Sequence, residues 1–328
     1  MAEIHDLIIR DGRNAIQATV TSTLTRQELD IAAEVLGDEE TNLGITHAGF
    51  ALTCLPHKKT DAEVWRRENG RVTLLVKPGF DRMGSPVGLP YGSRARMILL
   101  YLQTEAIKTN SPEVELGSSM AAWMTRMGVS VGGKSYRLID EQATRLSLCS
   151  LTFFWDEKRG EAFRNSTFVE GGLCLTELGE NGRQKRLWTE TARLSDDFFR
   201  SLQNHAVPVL EAAVRALANR SLALDIYVWL AYRLHVLNKA VPVSWPALRG
   251  QFGAGFDDKA PMSQFRRTFL ESLRLALAAY PEAKVSVDGA TGITLHPSRP
   301  PISPRLGQGA SHQGVSRVQS AFPFPAGV

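Results

Sequence analysis

The sequence predicts a helix-rich α+β chain built from two tandem copies of one unit: helix, strand, helix, helix, strand, strand. Three observations lead there. Residues 222–237 are apolar with helical period, and the short extended run Val241-Pro-Val243 follows. Residues 263–280 place Phe265, Phe269, Leu273, Ala276 and Tyr280 on one face of an amphipathic helix. Runs 284–287 and 292–296 then flank Asp288-Gly289, as the strands of a hairpin do. A helix-turn-helix with a β-hairpin appended is the winged-helix arrangement, and the same order of signals occurs earlier, over 93–189.

Length and composition set the bounds. At 328 residues the chain has room for two domains with cores of their own. Lys and Arg number 38 against 34 Asp and Glu, a formal charge of +4, which leans mildly towards polyanionic partners. Cys54, Cys149 and Cys174 are odd in number and far apart. They make no disulfide framework, so a reducing compartment, the bacterial cytoplasm, is expected. Glu3 and Asp6 interrupt the N-terminus, so no signal peptide is expected there. No apolar run reaches the length of a membrane span, and no membrane partner is expected.

In chain order, residues 1–45 read as a partly helical, mobile segment. Thr25-Arg-Gln-Glu28 resembles a capping box for a helix over 29–36 that Gly37 ends. The first winged-helix domain is expected over 46–192. Residues 71–76 have strand composition, and 84–92 form a Gly- and Pro-rich loop. A helix over 93–107 turns Ala95, Ile98, Leu99, Leu102 and Ala106 inward. A strand over 113–116 follows, then a helix capped by Ser118 with the stripe Met120, Trp123, Met124 and Met127. A third helix starts after Gly132-Gly133 and turns Tyr136, Ile139, Ala143 and Leu146 inward. Residues 148–155 form a strand whose expected partner is 186–189. The wing between them is enlarged and holds a further hairpin, 163–169 with 173–178. The second winged-helix domain is expected over 193–301. Its lead-in has a helix capped by Ser195 and another opened by Pro208 that runs to about 219. From 299 to 328 there are three arginines and no acidic residue, the composition of a disordered basic tail, placed at 302–328.

If Phe265, Phe269 and Leu273 face the core, then Gln264, Arg267, Glu271 and Arg274 face outward, with Ser263 and Arg266 near the helix start. Gln pairs bidentately with adenine, Arg with guanine, and Ser bonds phosphate. Lys284 on the wing, and Arg299 and Arg305 beyond it, add phosphate contacts. The first copy presents Lys134, Ser135, Arg137, Glu141, Thr144 and Arg145 in the same way, and its wing holds Lys158, Arg159, Arg164, Arg183, Lys185 and Arg186. The competing reading is a solvated helix face, with pairs such as Arg267 and Glu271, and a solubilising basic hairpin.

Gly128-Val-Ser-Val-Gly-Gly-Lys-Ser135 matches the P-loop pattern to the letter. That pattern works when a buried strand leads into it, and residues 120–127 have helical period instead. A helix–helix turn is the plainer reading. Cys54-x-x-His57 has the spacing of half a zinc site without a second half, and a surface turn fits it better. His235 reads as a satisfied core or edge histidine, and Trp229 and Trp245 as core aromatics. No catalytic, metal or cofactor site is expected.

The runs 88–106, which begins Gly-Leu-Pro-Tyr-Gly-Ser-Arg-Ala-Arg, 116–119, 223–234, 244–253 and 295–301 resemble the plasmid-encoded RepA replication proteins of bacteria. The resemblance covers 49–301. It implies control of plasmid DNA replication, with two winged-helix domains on repeated sites of a plasmid origin. It also implies opening of the origin and recruitment of host proteins, an initiator and a helicase, without catalysis. A homodimer is among the expected assemblies. The rival readings are a plasmid transcriptional or partition regulator and a P-loop nucleotide-binding protein.

Overall fold

The computed structural model describes residues 3–19, 22–70, 72–157, 160–170, 174–178, 184–256 and 259–302. The chain enters with helices α1 (Glu3–Asp11), α2 (Arg13–Thr19) and α3 (Thr23–Leu36), then strand β1 (Leu43–His47) and α4 (Ala48–Leu52). Next come β2 (Trp65–Asn69), β3 (Val72–Lys77), α5 (Gly92–Thr109), β4 (Glu113–Glu115), α6 (Met120–Arg126) and α7 (Gly133–Leu148). Strands β5 (Ser150–Glu157), β6 (Gly160–Thr167), β7 (Val169–Glu170), β8 (Cys174–Leu178), β9 (Gln184–Trp188) and β10 (Thr191–Leu194) follow, then α8 (Asp196–Asn204). The last stretch holds β11 (Ala206–Leu210), α9 (Glu211–Ala216), α10 (Ser221–Arg233), β12 (Val241–Ser244), α11 (Trp245–Phe252), α12 (Met262–Ala278), β13 (Val285–Asp288) and β14 (Gly292–Leu295).

Two compact units result. One joins residues 1–52 to 206–328, and the other is 53–205. In the first unit β1 and β11 pair antiparallel, from Leu43 with Leu210 to His47 with Ala206. The N-terminal residues expected to be partly helical and mobile form α1 to α3, and Leu29 and Ala32 of α3 have no exposed surface. The core of this unit is aromatic. Phe269 lies 5.6 Å from Phe252 and 5.7 Å from Phe265, and meets Trp245 edge-on at 6.1 Å. Both Trp229 and Trp245 are buried, as their apolar settings predict. Ser244 caps α11 by accepting from the Ala247 amide, and the Pro at its first turn lacks only an N–H that would have no intrahelical partner.

Each unit carries a three-stranded sheet with the same order of roles. In residues 221–301 the order is β12-β14-β13: the strand after the first helix pairs with the last strand, which pairs with the middle one. In residues 53–205 the order is β4-β10-β7. Both sheets follow the sequence helix, strand, helix, helix, strand, strand. The second case departs from expectation in its strands. The run 148–155 does not pair with 186–189. As β5 it sits between β3 and β6 in a four-stranded sheet, β2-β3-β5-β6. Leu151, Phe153 and Trp155 there lie beside the alternating buried face Val72, Leu74 and Val76. Strand β9 pairs with β8 instead.

Smaller corrections have local causes. Pro208 lies within β11 opposite Ile45, not at a helix start, because the β1–β11 ladder takes up 206–210. Ser119, not Ser118, caps α6, accepting from the Ala122 amide at 3.2 Å. Tyr136 is 44% exposed, because the inward stripe of α7 begins one turn later, at Ile139, Gln142, Ala143 and Leu146. Among the described residues no helix is long and apolar enough to cross a membrane.

Candidate nucleic-acid interface

Helix α12 is held from behind. Phe265, Phe269, Leu273 and Ala276 have no exposed surface. This fixes the opposite face, where Ser263, Gln264, Arg267 and Glu271 stand exposed. The first three lie in the first two turns of the helix, which starts at Met262 after Pro261. The remaining residues expected on this face are engaged elsewhere. The Arg266 guanidinium lies 5.2 Å over the Trp245 ring, and its Nη1 donates to the Gly289 carbonyl at 3.3 Å. Arg274 forms a two-point ion pair with Glu28 of α3 and donates from Nη2 to Oε2 at 2.7 Å. It is therefore tied into the fold and not projecting from it.

The hairpin β13–β14 stands beside this helix start. Lys284 is exposed at its base, where its amide donates to Ser298 Oγ at 3.0 Å. The Asp288 carboxylate accepts from the Ala290 amide at 2.9 Å and the Thr291 amide at 3.3 Å. The Ala290 amide, with Thr291 behind it, holds the Asp288 carboxyl below its ordinary range. Gly292 is required where the hairpin meets β12. Its φ is +154° and a Cβ there would stand 2.0 Å from the Val243 carbonyl. Arg299 is exposed, and its carbonyl accepts from Tyr280 Oη at 2.6 Å. Arg305 lies outside the described residues, as does the expected tail beyond Ile302, which is itself buried.

In the other unit α7 is the counterpart of α12. Lys134 and Arg137 are exposed on its first turns, and Arg137 Nε donates to the Gly133 carbonyl at 3.3 Å. Ser135 is half-buried. Arg145 corrects the outward assignment, because only 7% of it is exposed. It bonds the Leu89 carbonyl at 2.8 Å, pairs with Glu141 at 2.9 Å and lies 5.2 Å over the Tyr91 ring. Thr144, also expected outward, is half-buried and donates to the Asp140 carbonyl at 3.0 Å. Of the expected basic wing, Lys158, Arg159 and Arg183 lie outside the described residues, as do the side chains of Arg164, Lys185 and Arg186.

The stretch 128–135 joins helix α6 to helix α7 and bends at Gly128, with φ +68°. The strand that a P-loop relies on is replaced by a helix, so the loop is a helix–helix turn. Cys54 is buried, not at a surface turn, and His57 Nδ1 accepts from Arg96 at 3.4 Å. Arg96 also bonds the Leu55, Pro56 and Gly92 carbonyls. His235 Nδ1 donates to the Ala231 carbonyl at 2.8 Å, and burial lowers the pKa of the ring, as for a satisfied edge histidine.

Sequence reading missed the internal roles of Arg145, Arg266 and Arg274. Outward helix position alone does not reveal them. The signals available were Tyr91, Trp245 and Glu28, an aromatic or acidic residue for each arginine, but their proximity depends on tertiary pairing.

The comparisons define the class first. Residues 89–246 match the family model described as plasmid encoded RepA protein. Over this stretch, a little under half of its length, the chain is similar to the plasmid-encoded RepA family. Among solved structures, a selenomethionine derivative of domains 2 and 3 of RctB aligns with 78% of this chain and 97% of its own, at TM-score 0.48 and 10% identity. A further crystal structure of RctB domains 2–3 aligns with 75% and 94%, at TM-score 0.41 and 11% identity. At these scores the alignments carry no argument about the site. No curated protein matches the chain.

Proposed function

We propose that the chain initiates plasmid replication by binding repeated origin sites through two winged-helix modules and then bringing in host replication proteins. The observation that carries this reading is the exposed trio Ser263, Gln264 and Arg267 on the first turns of α12, beside a hairpin in β12-β14-β13 order. A recognition helix reads base edges from its N-terminal half, and these side chains suit phosphate, adenine and guanine. The β4-β10-β7 sheet supports a second module, with Lys134 and Arg137 on its helix. The protein acts by binding, without catalysis or cofactor, in the bacterial cytoplasm.

The test is footprinting of the purified protein on the plasmid region around its own gene, across a salt series. Regularly spaced protections that persist at physiological salt are expected. Uniform coverage that collapses with salt would mean charge-driven association only and would overturn the reading.

A further inference from the structure

The hairpin tip needs an anchor of its own. Ser286, Val287, Asp288, Gly289, Ala290 and Thr291 are all exposed, and the pairing with β14 ends at Asp288. Three contacts tie this tip to the helices. The Trp245 amide donates to the Thr291 carbonyl at 3.1 Å, and Trp245 Nε1 donates to the Gly289 carbonyl at 3.3 Å. Arg266 Nη1 donates to that same carbonyl at 3.3 Å. Trp245 is 1% exposed and wedged against Phe269, so it is a fixed post. Arg266 lies on its ring, with Nε shielded from solvent. The guanidinium is folded inward. The next residue, Arg267, a little over a quarter of a turn away, stands exposed.

We infer that Arg266 is a positioning residue that locks the wing to the start of α12, so that helix and wing meet DNA as one rigid surface. The inference rests on the winged-helix reading above. It separates two adjacent arginines by role: Arg267 faces the bases, and Arg266 sets the distance between the two contacting elements. A guanidinium suits the task because its plane stacks on the indole while its edge donates to a carbonyl, which a lysine ammonium cannot do in the same way.

The experiment uses the full chain and the variants Arg266→Lys, Arg266→Gln and Arg267→Ala. The first readout needs no DNA: amide hydrogen exchange at Trp245, Ala290 and Thr291. Both Arg266 variants are expected to speed exchange there by about 5- to 20-fold, with exchange elsewhere unchanged. The second readout is affinity for a footprinted duplex and for duplexes with single base changes. Both Arg266 variants are expected to weaken all of these by a common factor of about 3 to 10. Arg267→Ala is expected to flatten the preference at one base position. Unchanged exchange in both Arg266 variants, or wild-type binding by Arg266→Lys, would overturn the inference and make Arg266 a simple cationic contact. If the wild type discriminates between no duplexes, the winged-helix reading fails, and the exchange readout still decides whether Arg266 anchors the tip.

Discussion

Glu28 and Arg274 stand 246 positions apart and meet in a two-point ion pair behind α12. Close by, His5 Nε2 donates to the Ala278 carbonyl at 2.9 Å. The N-terminal helices are thus bonded to the C-terminal half of α12, while its first turns are left exposed. This makes the C-terminal half of the helix its anchor and leaves Ser263, Gln264 and Arg267 of its first turns exposed.

Removing Arg274 leaves the Glu28 carboxylate, 9% exposed, without its partner. Arg274 itself is 41% exposed, which screens the pair. Arg274→Ala is therefore expected to cost about 1–2 kcal/mol of stability. Denaturant unfolding measures this. Base preference should be unchanged at temperatures where the variant is folded, and an altered preference would show that Arg274 reaches DNA.

Gly88 stands against Arg145. Its φ is +80°, and a Cβ there would lie 2.3 Å from Arg145 Nη1. The glycine that opens the 88–106 run thus leaves room for the guanidinium that bonds the next carbonyl, Leu89. Gly88→Ala combines an unfavourable φ with a clash and is expected to destabilise by about 1–3 kcal/mol. Thermal unfolding checks this, and an unchanged Tm would refute it. Burial and Glu141 raise the Tyr91 hydroxyl pKa.

Helices were legible where apolar spacing was long and regular. Residues 93–107 lie within α5, and 263–278 of the run 263–280 lie within α12. Strand composition was legible as well, and so was the hairpin of β13 with β14, but not the partners of 148–155. The run 148–155 has one of its partners, β3, more than 70 residues earlier, and pairing of that kind is set by which buried faces meet. Outward faces were read well at Ser263, Gln264 and Arg267. They were misread at Arg145, because an arginine can bury its fork when a carbonyl, a carboxylate and a ring all meet it.

Acid should loosen the tip of the β13–β14 hairpin through Asp288. Its carboxyl is held below its ordinary range by the Ala290 amide, then by the Thr291 side chain and amide. A depressed carboxyl contributes fully above its unfolded value, and that contribution is lost as pH falls through the folded value. Exchange at Ala290 and Thr291 is therefore expected to be flat above about pH 4 and to rise below it, once intrinsic rates are corrected. Asp288→Ala should remove the step. A step that persists in that variant would assign it to another group.

Arg267 gives the most direct test of the face assignment. It is exposed on the second turn of α12, on the side opposite Phe265 and Phe269. If it pairs with a guanine edge, Arg267→Ala costs about 1–3 kcal/mol of specific binding, roughly 5- to 150-fold in Kd. The loss should fall on the cognate duplex and shrink on one with that base pair replaced, since the wild type has already lost the contact there. A phosphate contact would weaken both duplexes equally and reduce the salt slope by about one. Equal affinity of variant and wild type on both duplexes would mean that this face of α12 does not meet DNA.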